Sequence, residues 1–234
     1  MDKLSDIDNQ KHKDNKYQKS DLETFSRNMS SSTDLQGWRN KLLFAIKETA
    51  VQNSINICDF GSGLGDKAYL LSELVITGQV YCLDYSKTAI EKSKEFIKKD
   101  NFTFIASDAN KSLDFIKKES IDVGLMFGFL HETRSVKEVL KNTFPLFKNS
   151  SLLIISDNDL TFNFKDLKDN LDNSGYKFKI FKVKKFFLTF HFGKFLFINY
   201  KKHRSRTDKL LAICSINSDQ NIKFFIKSLK KIYS

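Results

Sequence analysis

Three aspartates close successive apolar runs in the first half of this 234-residue chain: Asp59, Asp84 and Asp108. The first opens a glycine-rich stretch, Asp59-Phe60-Gly61-Ser62-Gly63-Leu64-Gly65, between a strand-like and a helix-like segment. Glycine suits such a turn because the backbone can pass close to a ligand with no Cβ in the way, and the helix that follows offers N–H groups at its start. A dinucleotide fingerprint needs a third glycine at position 66, where this chain has Asp66, so a nicotinamide enzyme is disfavoured. Asp84 lies 19 residues beyond Gly65, where a carboxylate at a strand end can accept both hydroxyl hydrogens of a ribose. Ser107-Asp108-Ala109 ends the next run and offers an acid to an adenine amino group. Singly, each aspartate reads equally well as a solvated loop residue or a helix cap. At three successive strand ends they describe a nucleoside site.

Those residues need a scaffold that brings strand ends together, and the hydrophobic pattern supplies one. Leu35, Trp38, Leu42, Leu43 and Ile46 recur at helical spacing after a possible cap at Thr33, which predicts a helix over about 34–50. SINICDF, QVYCLDYS, FTFIAS, IDVGLMFG and SLLIISD read as strands, with KAYLLSELVI, TAIEKSKEFIKKD, SLDFIKK and SVKEVLKNTFPLF as helices between them. Such alternation predicts a parallel sheet covered on both faces. Further helix, strand, strand and helix signals follow at FKDLKDNLDNSG, YKFKIFKVKKFF, LLAICSI and IKFFIKSLKKIY. The fold class expected is α/β, a Rossmann-like doubly wound sheet of about seven strands, mostly parallel with an antiparallel last strand.

Charge is unevenly placed. Residues 1–160 hold 22 Lys and Arg against 23 Asp and Glu, whereas residues 161–234 hold 17 against five, so the whole surplus of +11 is C-terminal. A basic surface of that kind attracts phosphates, RNA or anionic membranes, although Lys-, Asn-, Ile- and Phe-rich composition also arises from an AT-rich genome. The three cysteines, Cys58, Cys82 and Cys214, are far apart without a C-x-x-C pair, which supports neither a disulfide framework nor zinc; no metal site is expected. The most apolar stretch, 186–198, is interrupted by His191 and Lys194 and is shorter than the roughly 20 residues a membrane span needs. The start of the chain carries no signal-peptide pattern, and a cytoplasmic protein is expected.

On these motifs the sequence resembles the class I S-adenosylmethionine-dependent methyltransferases over roughly residues 35–217. The resemblance implies S-adenosyl-L-methionine as cofactor, with Asp59, Gly61, Ser62, Gly63 and Gly65 at its methionine end, Asp84 on the ribose, Tyr85 on the adenine face and Asp108 with Ala109 at the adenine edge. Ile121 to Glu132, IDVGLMFGFLHE, is similar to the fourth-strand signature of the small-molecule branch that includes quinone-biosynthesis enzymes, and it implies Phe127 beside the sulfonium. The second His of that signature is Glu132 here, and the usual Lys-Pro-Gly-Gly turn is Lys148-Asn149-Ser150-Ser151. No Asn/Asp-Pro-Pro-Tyr follows the fourth strand and no cysteine ends it, which argues against amino-methylating DNA enzymes and cysteine-dependent pyrimidine methylation.

Since a sulfonium methyl is already activated, such a protein has mainly to align the nucleophile and exclude water. A general base is optional, and His131 is the candidate, with a structural hydrogen-bonding role as the alternative. Glu132, Arg134, Trp38 and Arg39 are candidates for holding substrate. Residues 1–20 are expected as a disordered polar tail and 21–234 as one domain: an N-terminal helix and lid over 21–50, a cofactor-binding core over 51–160, and a basic aromatic part over 161–234. The partner expected is a small or lipid-like acceptor with an O, N or C nucleophile. The alternatives are RNA or an anionic membrane met through the basic third, and a non-catalytic cofactor-binding protein of the same fold.

Overall fold

The computed structural model describes residues 3–31, 35–49, 54–158, 164–183, 209–215 and 219–233. In chain order the elements are helices α1 (Lys3–Tyr17), α2 (Leu22–Ser30) and α3 (Leu35–Thr49), strand β1 (Ile55–Phe60), α4 (Asp66–Leu74), β2 (Thr77–Asp84), α5 (Lys87–Phe96), β3 (Phe102–Ala106), β4 (Ile121–Phe127), α6 (Val136–Thr143), β5 (Phe147–Asn158), α7 (Phe164–Asn173), β6 (Lys177–Val183), β7 (Lys209–Ser215) and α8 (Asp219–Tyr233). Short 3-10 turns cover Ala109–Asp114, Leu130–Glu132 and Phe144–Leu146.

The strands join in the order β3-β2-β1-β4-β5-β7-β6. The first five are parallel, and β7 runs antiparallel between β5 and β6. Alternate side chains of each strand point to opposite faces. Thus Ile57, Val123, Leu125 and Ile154 pack with Leu42, Leu43, Ile46, Leu71 and Phe225 on one side, while Cys58, Phe60, Met126 and Leu153 pack with Val139, Leu140, Leu167 and Leu171 on the other. Helix starts follow local chemistry. Ser86 caps α5 by accepting from the Ala89 N–H, and Ser135 caps α6 by accepting from Glu138 N–H. Gly65, left-handed at φ 77°, starts α4 without a side-chain cap.

The main departure from expectation is the N-terminus. Residues 3–17 are helical, so most of the expected disordered tail of 1–20 is the helix α1. Its low mean hydropathy hides it from a search for an apolar stripe, because polar contacts attach it. Gln10 donates to the Tyr85 carbonyl at 2.8 Å, and Asp14 accepts from Ser86 Oγ at 2.6 Å and from the Thr88 N–H at 3.1 Å, adding an acid to the N-terminal end of α5. No helix among the described residues is long and apolar enough to cross a membrane. Residues 184–208 of the basic aromatic part lie outside the described residues.

Candidate active site

A cavity of about 540 Å³ opens at the carboxyl ends of β1 to β4. Its walls include Asp59, Gly61, Ser62, Gly63, Asp84, Tyr85, Asp108, Ala109 and Phe127, and, from the substrate side, Arg39, His131, Glu132 and Arg134. Nearly all the residues singled out from the sequence therefore meet at one place. Gly65 stands just behind, and Trp38 belongs to α3 but its side chain lies outside the described residues.

The turn after β1 holds Gly61, Gly63 and Gly65 at φ 68°, 54° and 77°. L-residues are strained there. Space is also short: a Cβ on Gly61 would fall 2.4 Å from Phe129 Cδ2, and one on Gly63 would fall 3.0 Å from the Tyr17 hydroxyl. Asp84 stabilises this turn directly, since its two oxygens accept from the Gly63 and Ser86 N–H groups at 2.8 Å each. Burial raises the Asp84 carboxyl above its ordinary range, against the opposing pull of those N–H groups and of Lys13 and Lys16. Asp108 accepts from the Asn110 N–H at 2.9 Å and so caps a 3-10 turn while lining the cavity.

Asp59 is different. It is 3% exposed, and one of its oxygens, Oδ2, is buried without a hydrogen-bond partner. Burial, then the charges of Asp66 and Asp84, push its carboxyl up to about 8. Three further cavity residues hold buried atoms without a hydrogen-bond partner, Ser62 Oγ, Arg39 Nε and Asp66 Oδ2, the last facing the Lys67 ammonium at 3.0 Å. Burial pulls the Arg39 guanidinium down from its ordinary range, while Asp157, Asp66 and Asp59 hold it up. Its head stands 5.7 Å from the centre of the Phe127 ring, and it passes so close to Gly128 that a Cβ there would lie 2.6 Å from Nη2. A carboxylate, a guanidinium and a hydroxyl with unmet capacity on one cavity suit the ammonium and carboxylate of an amino-acid zwitterion.

A family model described as "Methyltransferase domain" matches residues 52–187, more than half of the chain. The chain belongs to that family. Solved methyltransferases share its fold. An S-adenosylmethionine-dependent methyltransferase from Aquifex aeolicus superposes with a TM-score of 0.57 at 17% identity, covering 85% of this chain and all of the other. Precorrin-6y C5,15-methyltransferase from Geobacter metallireducens gives 0.55 at 16% identity, over 75% of this chain and 88% of its own. Phosphoethanolamine N-methyltransferase 2 from Haemonchus contortus, in complex with phosphomonomethylethanolamine and S-adenosylhomocysteine, gives 0.60 at 12% identity, over 74% and 46%. No curated protein matches the sequence. The second and third of these structures are named for unlike acceptors, so the shared fold leaves the acceptor open.

In this methyltransferase the cavity is covered by residues that sequence reasoning did not single out. Lys13, Lys16 and Tyr17 of α1 line it, together with Thr24 and Asn28 of α2 from the segment expected as a lid over 21–50. Lys13 pairs with Glu132, and Lys16 reaches the other Glu132 oxygen at 2.9 Å. Burial would raise the Glu132 carboxyl, but these hydrogen bonds outweigh it and hold it below the ordinary range. Lys67 fixes α2 and α3 to α4, donating to the Asn28 carbonyl at 3.0 Å and Asn40 Oδ1 at 2.7 Å. Asp157, at the end of β5, was also missed. The signal was present, since it closes an apolar run as Asp59, Asp84 and Asp108 do. Among the described residues no cluster of His, Cys, Asp or Glu is placed to hold a metal ion.

Proposed function

We propose that this methyltransferase takes its methyl group from S-adenosyl-L-methionine and delivers it to a small or lipid-like molecule at the cavity under α1. The observation that carries the reading is the set of unsatisfied atoms on residues lining one cavity, Asp59 Oδ2, Ser62 Oγ and Arg39 Nε, beside a glycine turn already tied to Asp84. When bound, the cofactor supplies a methyl carbon activated by a sulfonium. Asp59 and Ser62 hold its ammonium and Arg39 its carboxylate. Asp84 retains lone pairs for the ribose hydroxyls beyond the two N–H groups it already serves. Tyr85 covers the adenine face, Asp108 and Ala109 border its edge, and Phe127 lies beside the sulfonium. Gly61, Gly63 and Gly65 keep the turn free of side chains. The cover formed by Lys13, Lys16 and Tyr17 excludes water and favours an acceptor small enough, or thin enough, to reach under it. His131 accepts the acceptor's proton, while Glu132 and Arg134 orient it.

Calorimetric titration with S-adenosylmethionine and S-adenosylhomocysteine, with NAD as control, tests the cofactor. Radiolabelled methyl transfer to three pools tests the acceptor: small hydroxy and amino compounds, phenolic and quinol lipids, and RNA. Binding of the two sulfur compounds alone, with label in either of the first two pools, is the expected result. Label in RNA that declines steeply with salt would move the function to the basic C-terminal part. Binding with no transfer to any pool would make the chain a cofactor-binding protein, and no binding would overturn the reading.

A further inference from the structure

His131 does not stand alone. Its backbone N–H reaches Asp157 Oδ2 at 3.2 Å, and its ring Nδ1 lies 2.6 Å from Asp157 Oδ1. One carboxylate thus grips both the main chain and the imidazole. The grip is rigid because the ends of β4 and β5 are tied together: Met126 and Phe127 are in register with Ile155 and Ser156, and the Gly128 N–H donates to the Ser156 carbonyl at 2.7 Å. Asp157 is 1% exposed, whereas the His131 side chain is 24% exposed and lines the cavity. Nδ1 therefore faces the interior and Nε2 the space where an acceptor would lie, 3.7 Å from Glu132 Oε1.

We infer that Asp157 is a positioning residue that fixes the Nδ1–H tautomer of His131 and so presents a bare Nε2 to an acceptor carrying a removable proton, an alcohol, phenol or amine. This rests on the methyl-transfer reading and narrows its acceptor class. A neutral imidazole has one N–H, and a carboxylate can only accept, so the ring proton belongs on Nδ1 and the lone pair on Nε2. In the transfer step a lone pair of the acceptor's O or N forms the bond to the methyl carbon. The carbon–sulfur bond breaks with its electrons going to sulfur, which becomes a neutral thioether, and the proton lost from O–H or N–H ends on Nε2. Asp157 then faces an imidazolium without itself taking a proton. The other charges around this pair are Arg39 from α3, which faces Asp157, Glu132 with its partners Lys13 and Lys16 from α1, and Arg134 on the cavity wall.

The first test needs no acceptor. The chain has four histidines, His12, His131, His191 and His203, so nitrogen-15 NMR of the full-length protein can assign the His131 ring by comparison with His131→Gln. With the imidazole neutral the wild type is expected to show protonated Nδ1 and bare Nε2, and Asp157→Asn to shift the proton toward Nε2, because the amide can donate where the carboxylate could only accept. A wild-type ring protonated on Nε2 overturns the inference. The second test is kinetic, with whichever pool accepts label. Asp157→Asn should lower kcat by about 10²-fold or more, the usual worth of a general base, with KM and S-adenosylmethionine affinity unchanged and the thermal unfolding still cooperative. An unchanged kcat, or transfer confined to acceptors with no proton to lose, overturns it while leaving methyl transfer intact. Failure to bind S-adenosylmethionine would instead overturn the parent reading, and the NMR result would still decide the tautomer.

Discussion

Asp59 and Asp84 close neighbouring strands, face the same cavity and are 3% and 7% exposed, yet they are spent differently. Asp84 uses both oxygens on backbone N–H groups that shape the glycine turn and start α5. Asp59 keeps an oxygen without a partner and is pushed up to about 8, chiefly by burial. Residue type and place in the fold are the same, but one acid is committed to the architecture and the other keeps an oxygen that no protein group uses. A buried acceptor left unsatisfied destabilises the protein that carries it, and the proposed contact with the cofactor's ammonium would offset that cost.

The contrast can be broken hardest at Asp84. Asp84→Ala strands two buried N–H groups at about 1–3 kcal/mol each and also removes the ribose acceptor, so chemical denaturation should show a less stable protein and calorimetry a much weaker affinity for S-adenosylmethionine. Retention of full stability would mean that the turn does not depend on this carboxylate. Asp59→Asn should separate the two properties. Losing a hydrogen bond to the charged ammonium costs about 1.5–3 kcal/mol of binding, a tenfold to more than hundredfold weaker Kd, while the melting temperature holds or rises. A variant that binds normally would remove Asp59 from the cofactor site.

A gentler probe is pH. The folded protein holds the Asp59 proton up to about 8, whereas the unfolded chain releases it near the ordinary carboxylate value of 3.8. Between those values the folded state binds more protons, so this group's contribution to stability is full at low pH and declines as pH rises toward 8. The raised Asp84 carboxyl acts in the same direction. An ammonium ligand favours the ionised acid, so S-adenosylmethionine should bind more tightly as pH rises toward 8 and release a proton near pH 7, which calorimetry in buffers of different ionisation enthalpy would detect. Asp59→Asn should abolish that release. The smallest effect belongs to the cover. Lys16 is half exposed, and Lys16→Ala should cost under about 1 kcal/mol of stability while speeding cofactor dissociation in stopped flow.

The parts of this design that were legible from the chain are those written as local pattern. Apolar runs such as Ile55–Phe60 and Ile121–Phe127 are buried on both faces and read as strands, and the glycine turn needs residues that tolerate positive φ. Strand-end acids could be located and matched to a nucleoside site, but the difference between Asp59 and Asp84 lies in the direction of the Gly63 and Ser86 N–H groups, which emerges only in three dimensions. Helix α1 was illegible for a related reason. Its partners, Tyr85, Ser86, Thr88 and Glu132, are some 70 to 120 residues away, and a polar helix held by distant polar groups has the composition of a solvated tail. The close approach of Arg39 to Gly128 is likewise set by a residue distant in the chain.

The same manner of attachment sets how the cover opens. From residue 10 to 17, α1 has no fully buried side chain, and Tyr17 is its residue packed against the core. Lifting residues 10–17 would expose little apolar surface beyond that of Tyr17, so their opening should carry a small urea m-value and a small heat-capacity change. Ion pairs at its edge are weakened by screening. Traffic through the cavity should therefore respond to ionic strength at concentrations of urea and at temperatures that leave the rest of the molecule unmoved.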